Sequence, residues 1–140
     1  HRVDRRQRQM CIRDRVNVAR FAEHEFLESS ARTASENSSG LRVDGMSQCS
    51  VMMSSTAVTG TSPTVDTEPE VSNDNSTWFP LNIYPSASDP AAMTMQLTAA
   101  GQISMTFPLC AKYLRVKTTI GGSSTPGHTF SVVANFIKHR

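Results

Sequence analysis

The sequence predicts an all-β fold, a single β-sandwich of antiparallel strands with jelly-roll or immunoglobulin-like connections, on three observations. Apolar residues recur at every second position through most of the chain. That is the period of a strand with one buried face, not the 3.6-residue period of a helix. Clusters of Gly, Pro, Asn, Asp and Ser cut these runs into short lengths. About 125 residues follow the first fifteen, enough for one domain with one core. Short strands divided by turns at this spacing belong to sandwiches and jelly-rolls.

Residues 1–15 stand apart from this pattern. They hold six Arg and two Asp and have no apolar period. Read back into DNA, Arg5 to Asp14 can be spelled CGT CGG CAG CGT CAG ATG TGT ATA AGA GAC, with AG beginning Arg15. That string is the transposon-end adapter of tagmentation libraries, and residues 1–4 fit the barcode and oligonucleotide ahead of it. The segment therefore reads as translated adapter DNA from a metagenomic library, with the native N-terminus lost, and residues 16–140 as the domain. A natural Arg-rich arm for phosphate binding is the competing reading, and the codon match outweighs it. Setting the segment aside turns the formal charge of +2 into −2 and removes the odd thiol Cys11. With the basic excess goes the electrostatic reason to expect a nucleic-acid partner.

Along the remaining chain, "NVARFAEHEFLES" is the one place where a helix is conceivable, through Val18, Phe21, Glu25 and Leu27. Phe26 to Ser30 reads equally as a first strand running into the polar loop "SARTASENSSG". After the Asp44-Gly45 turn, Cys49, Val51 and Met53 share a face in "QCSVMMSSTAV". Gly60 to Pro63 is a turn signal, and Pro69 in "DTEPEVSNDN" places that segment on a sheet edge, because proline cannot donate to a ladder. Asn73, Asp74 and Asn75 form an Asx cluster suited to a hairpin turn that caps its own amides, and lack the alternating ligands of a calcium loop. In "FPLNIY", Phe79, Leu81 and Ile83 oppose Pro80 and Asn82. Ile103, Met105 and Phe107 alternate after the turn at Ala99 to Gly101; so do Leu114, Val116 and Ile120. "GGSSTPG" then connects to a last strand with Phe130, Val132, Ala134 and Phe136 on one face.

Little in the sequence carries chemistry. His24, His128 and His139 sit in polar or terminal settings without Cys or His at ligand spacing, so no zinc site is expected. No nucleophile elbow occurs, and "GGSSTPG" lacks the Lys-Ser/Thr ending of a phosphate loop. Asp44, Asp66, Asp74, Asp89 and the glutamates of "DTEPE" read as solvated loop acids more than as a catalytic pair. Cys49 reads as a small buried hydrophobe, not as the partner of Cys110. Trp78, at a strand start, reads as a half-buried anchor; with Tyr84 it could instead form a sugar-stacking platform. No catalytic residue, metal ligand or cofactor is expected. The longest apolar runs are a few residues, far short of a membrane span, so a soluble protein is expected.

"SSARTASENSSGLRVDG", "TAVTGTSPTVD", "SNDNSTWFPL" and "TAAGQISMTFPLCAKYLRVKTTIGGSSTPGHTFSVVANF" resemble, in that order, a group of small β-sandwich proteins encoded among the structural genes of tailed bacteriophages and prophages. The resemblance spans residues 27–137. It departs from the group at Pro69 and at "NIYPSASDPAAM", which looks like an enlarged loop. It implies a non-enzymatic virion structural or virion-associated protein, a head or tail accessory or decoration component assembled in the host cytoplasm. Its implied partners are other virion proteins or copies of itself, as an oligomer, with no nucleic acid, membrane or small-molecule substrate. An adhesion or carbohydrate-binding module using Trp78 and Tyr84 is the alternative, and a hydrolase would lack any motif.

Overall fold

The computed structural model describes residues 20–86 and 89–138. Among the described residues the chain is strand and connection only: β1 (Arg20–Arg32), β2 (Glu36–Asn37), β3 (Leu41–Arg42), β4 (Gln48–Ser72), β5 (Phe79–Pro80), β6 (Asn82–Ser86), β7 (Asp89–Ala92), β8 (Met95–Leu97), β9 (Gly101–Pro108) and β10 (Tyr113–Lys138). The all-β expectation holds. No helix there is long and apolar enough to cross a membrane.

Two long strands make the frame. β4 and β10 pair antiparallel from Tyr113↔Ser72 to Ile137↔Gln48, and every other strand of the main sheet pairs with one of them. This ribbon folds back on itself. Met53 and Thr67 are fourteen residues apart on β4, yet the Thr67 hydroxyl lies 3.1 Å from the Met53 sulfur. A straight strand would separate them by about 46 Å at ~3.3 Å per residue. The two halves of the ribbon therefore face each other as two layers. One layer runs β1, β10 (127–138), β4 (48–59), β9; the other runs β2 and β3, β10 (113–121), β4 (61–72), then β5 and β8. A two-stranded ribbon rolled into a double sheet in this way is jelly-roll topology.

The fold-back sits where the sequence places turns, but the chain bends there without reversing. Register slips between Gly121 and Ser123 and between Ser123 and Gly127, and the ladder then continues. Gly60 and Gly122 take φ of 86° and 122°, a region that L side chains avoid. A Cβ at Gly60 would also lie 2.7 Å from the Pro126 Cα. Hairpin turns and corners use the same residues, so composition alone does not separate them.

Alternation fills the space between the layers as expected: Cys49, Val51 and Met53, Leu114 and Val116, and Phe130, Val132, Ala134 and Phe136 are all buried. The helix conceivable near Phe21 is instead β1. A register shift between Glu25 and Leu27 turns both Phe26 and Leu27 into the core, breaking the period of two. Arg32 fastens this bulged strand, its guanidinium donating to the carbonyls of Glu28 and Phe130 at 2.8 Å and lying 4.9 Å from the Phe130 ring centroid. Within "SENSSG", residues expected to be loop form β2, and buried Ser38 exchanges two hydrogen bonds of 2.9 Å with the Val116 backbone.

Pro69 requires a correction: it lies one strand in from the edge, opposite Val116 of β10, with β5 and β8 beyond. Its carbonyl accepts from the Leu81 N–H at 3.0 Å, on the side away from β10. The missing N–H points to that same side, between β5 and β8, where the outer partner is interrupted. "NIYPSASDPAAM" carries β6 and β7, which pair with each other as a separate two-stranded sheet.

Candidate functional site

At one end of the sandwich β4 turns into β5 through the Asx cluster. Asp74 Oδ1 accepts from the N–H of Ser76 and Thr77 at 2.9 and 2.7 Å and from the Ser72 hydroxyl at 2.9 Å, while Asn75 takes a φ of 58°. This is the self-capped turn that the sequence predicts. The Thr77 amide first, then the Ser76 amide and the Ser72 hydroxyl, hold the Asp74 carboxyl down at about 2.

Trp78 follows this turn and is half-buried. A Cβ on Gly40 would come within 2.8 Å of the indole Cζ2, so the ring rests on a glycine that leaves room for it. The Arg115 guanidinium carbon lies 4.5 Å from the ring centroid, and Arg115 Nε donates to Glu70 Oε1 at 2.8 Å. The ring thus joins the hairpin to the loop at Gly40 and to β10. Tyr84 lies on β6, and its side chain falls outside the described residues. Phe79, expected on a face with Leu81, is 59% exposed, whereas Leu81 packs against the core. The two-residue β5 ends before that alternation is established.

His128 is a second correction, because the sequence places it in a polar setting and the fold buries it completely. It continues inward the row that begins at Phe130, and that parity is visible in the sequence. Its Nδ1 lies 2.9 Å from the Ser55 hydroxyl, and its Nε2 is buried without a protein partner. The pair has the composition of a Ser-His dyad. Both residues face the core, however, where no substrate carbonyl could approach the hydroxyl. The two candidate disulfide partners are both free: Cys49 is buried, its thiol pushed up to about 12 by burial, and Cys110 is exposed.

The outward faces of the two layers differ in chemistry. On the layer holding Trp78, Asp66, Glu68 and Glu70 of β4 stand opposite Thr119, Lys117 and Arg115 of β10. On the other layer, the outward positions of β4 (Gln48, Ser50, Met52, Ser54), of β10 (Ser131, Val133, Asn135, Ile137) and of β9 (Gln102, Ser104, Thr106) carry no ionisable group, and charge returns only on β1 at the far edge, with Glu23 and Glu25. Met52 is 37% exposed at its centre, beside a trough of about 520 Å³ lined by Ser54, Gln102, Ser104, Ser131 and Val133. Sequence reasoning missed this face. Its signal, a run of small uncharged residues at alternate positions, becomes a surface only once β4, β9 and β10 are known to be neighbours.

No family model matches the chain, and no curated protein matches it. Solved structures do. The prophage-derived protein YomS from SPBc2 superposes with a TM-score of 0.54 and 11% identity, over 86% of this chain and 96% of YomS. The likeness is one of fold. The PBSX exported protein XepA gives a TM-score of 0.49 at 13% identity, over 89% of this chain and 38% of XepA. A structure of infectious bursal disease virus gives 0.47 at 11% identity, over 86% of this chain and 32% of that one.

Proposed function

We propose that this chain is a non-enzymatic structural or virion-associated protein of a tailed phage or prophage, a head or tail accessory component that assembles in the host cytoplasm and acts in the virion. The observation that carries the reading is the uncharged outer face of β4, β9 and β10, on a jelly-roll whose other face is charged. A solvated surface mixes charges, and depletion of charge marks the centre of a protein contact. The superposition with YomS over nearly the whole of both chains supports a phage setting for the fold. With a formal charge of −2 on residues 16–140, association rests on shape and apolar contact more than on steering.

The carbohydrate-binding alternative rests on Trp78 and Tyr84. One face of Trp78 already lies under Arg115, leaving a sugar less ring to stack on than a free platform offers. The test is co-sedimentation of the purified chain with phage particles from the same genome, beside turnover assays on ester, glycoside and phosphate substrates. Co-sedimentation without turnover is expected. Steady turnover abolished by a single Asp change, or glycan binding lost with Trp78→Ala, would overturn the reading.

A further inference from the structure

The two layers have four edges, and they are defended unequally. Beyond β10 and β4 in the charged layer the outer strands are β2, β3 and β5 at two residues each and β8 at three, too short to template another strand. β1 is long, but register shifts on both sides of Leu27 break it, and it carries Glu23, Glu25, Glu28 and Arg32. β9 has none of these defences. It runs eight residues without a charge, its register against β4 is unbroken from Pro108↔Gln48 to Gly101↔Ser55, and among the described residues it pairs with nothing on its other side.

β9 also leaves apolar surface uncovered. Ile103 and Met105 point into the sandwich beside Met53 and Val51, which are fully buried, yet both are only half-buried themselves, and among the described residues no strand pairs beyond them. A further strand would cover them. Such a strand must match an edge that is polar but uncharged outside and apolar inside. β9 itself does so. About a two-fold axis through Ser104, an antiparallel copy sets Ile103 against Met105, Gln102 against Thr106 and Ser104 against itself, apolar to apolar and polar to polar.

We propose that β9 is the seat of a two-fold contact in which a second copy of this chain adds its own β9 antiparallel to the first, joining the uncharged surfaces of β4, β9 and β10 of the two copies edge to edge. The proposal rests on the assembly reading above and names the contact through which copies join. Backbone hydrogen bonds supply the pairing, and the half-buried Ile103 and Met105 of the two copies close each other's cores.

Sedimentation velocity over a concentration series tests it. The full chain should sediment as a dimer. Ser104→Lys, which sets two ammonium groups face to face across the axis, should weaken association by roughly tenfold or more. Glu25→Lys, on the defended edge, should leave the dimer intact. Circular dichroism of both variants checks the fold, and concentration-dependent protection of β9 amides in the unaltered chain gives a readout that needs no variant. A full chain that stays monomeric, or a dimer indifferent to Ser104→Lys, would overturn the proposal. Such a monomer co-sedimenting with particles would leave the assembly reading standing, whereas a β9 dimer absent from particles would do the reverse.

Discussion

The outer faces of the two layers share two strands and little chemistry. β4 and β10 run through both, so the same ribbon is decorated with Asp66, Glu68, Glu70, Arg115 and Lys117 before or after its bend and with Ser, Thr, Asn, Met and Val on the other side of it. Across the charged layer Glu68 and Glu70 on β4 meet Lys117 and Arg115 on β10, so these charges offset each other locally, while Asp66 stands opposite Thr119. Across the uncharged layer a solvent-facing Met52–Val133 pair sits among serines. Net charge, read from the whole chain, averages this difference away. The lesson is that a charged face and an uncharged face can be the two halves of the same strands.

The comparison holds only if both layers belong to one cooperative unit, and the strongest way to break it is through the core between them. Phe130 is fully buried on the uncharged layer. Phe130→Ala should cost about 3–5 kcal/mol. Denaturant melts followed by circular dichroism and by Trp78 fluorescence should shift together, because Trp78 reports from the charged layer. Separate transitions would show that the layers unfold independently.

Trp78 is the next largest effect. A fully buried aromatic truncated to Ala costs about 3–5 kcal/mol, and a half-buried ring with its cation-π contact should cost about 2. Trp78→Ala should therefore lower the denaturant midpoint without abolishing folding, with Trp78→Phe recovering most of the loss. An unchanged midpoint would favour a ring held out for a ligand.

Arg115→Ala and Met52→Ser then compare the faces directly. Arg115 and Glu70 side chains are 21% and 12% exposed, between a surface pair and a buried one. Arg115→Ala should cost about 1–2 kcal/mol, less at high salt. Met52→Ser should cost no more than about 0.5 kcal/mol, since surface changes away from special features are small. Urea melts at low and high salt check both, and equal costs would erase the distinction between the faces.

How much of this was legible depended on how strictly the chain alternates. The rows from Cys49 to Met53 and from Phe130 to Phe136 keep a period of two and are buried as read. β1 was obscured by its bulge, which sets Phe26 and Leu27 side by side in the core and imitates a helix. Gly60 and Gly122 announced a backbone change but not its direction, because positive φ serves a corner as well as a hairpin. Pro69 was read by rule as an edge residue. A gap in the partner strand removed the conflict that the rule assumes. Of the site, the Asp74 turn was local and readable, whereas Ser55 with His128 and the uncharged face both join residues far apart in the sequence, on strands whose pairing the sequence does not announce.

A smaller effect is confined to the hairpin on the charged layer. The Asp74 carboxyl falls from its ordinary 3.8 to about 2 in the fold. A group whose pKa is lowered by folding contributes its stabilisation in full above the unfolded value and loses it as pH falls through the folded one. Protection of the Ser76 and Thr77 amides, measured against their intrinsic exchange at each pH, should therefore fall between pH of about 4 and about 2, while protection of β9 amides stays unchanged over that window. Loosening of both together would mean that acid acts on the whole sandwich.

The smallest expected effect is none at all, on removing residues 1–15. On the proposal that they are adapter-derived, nothing in the domain has been shaped to meet them. They do carry a net +4, and β4 offers Asp66, Glu68 and Glu70 in one row. Those acids already stand opposite Arg115, Lys117 and Thr119, and a further ion pair at the surface adds little once salt screens it. Thermal melts of full and trimmed chains at ordinary salt should coincide, and only a low-salt melt should register the lost charge. A trimmed chain that melts several degrees lower at ordinary salt would make residues 1–15 part of the fold, and would return six arginines to a domain whose net charge without them is −2.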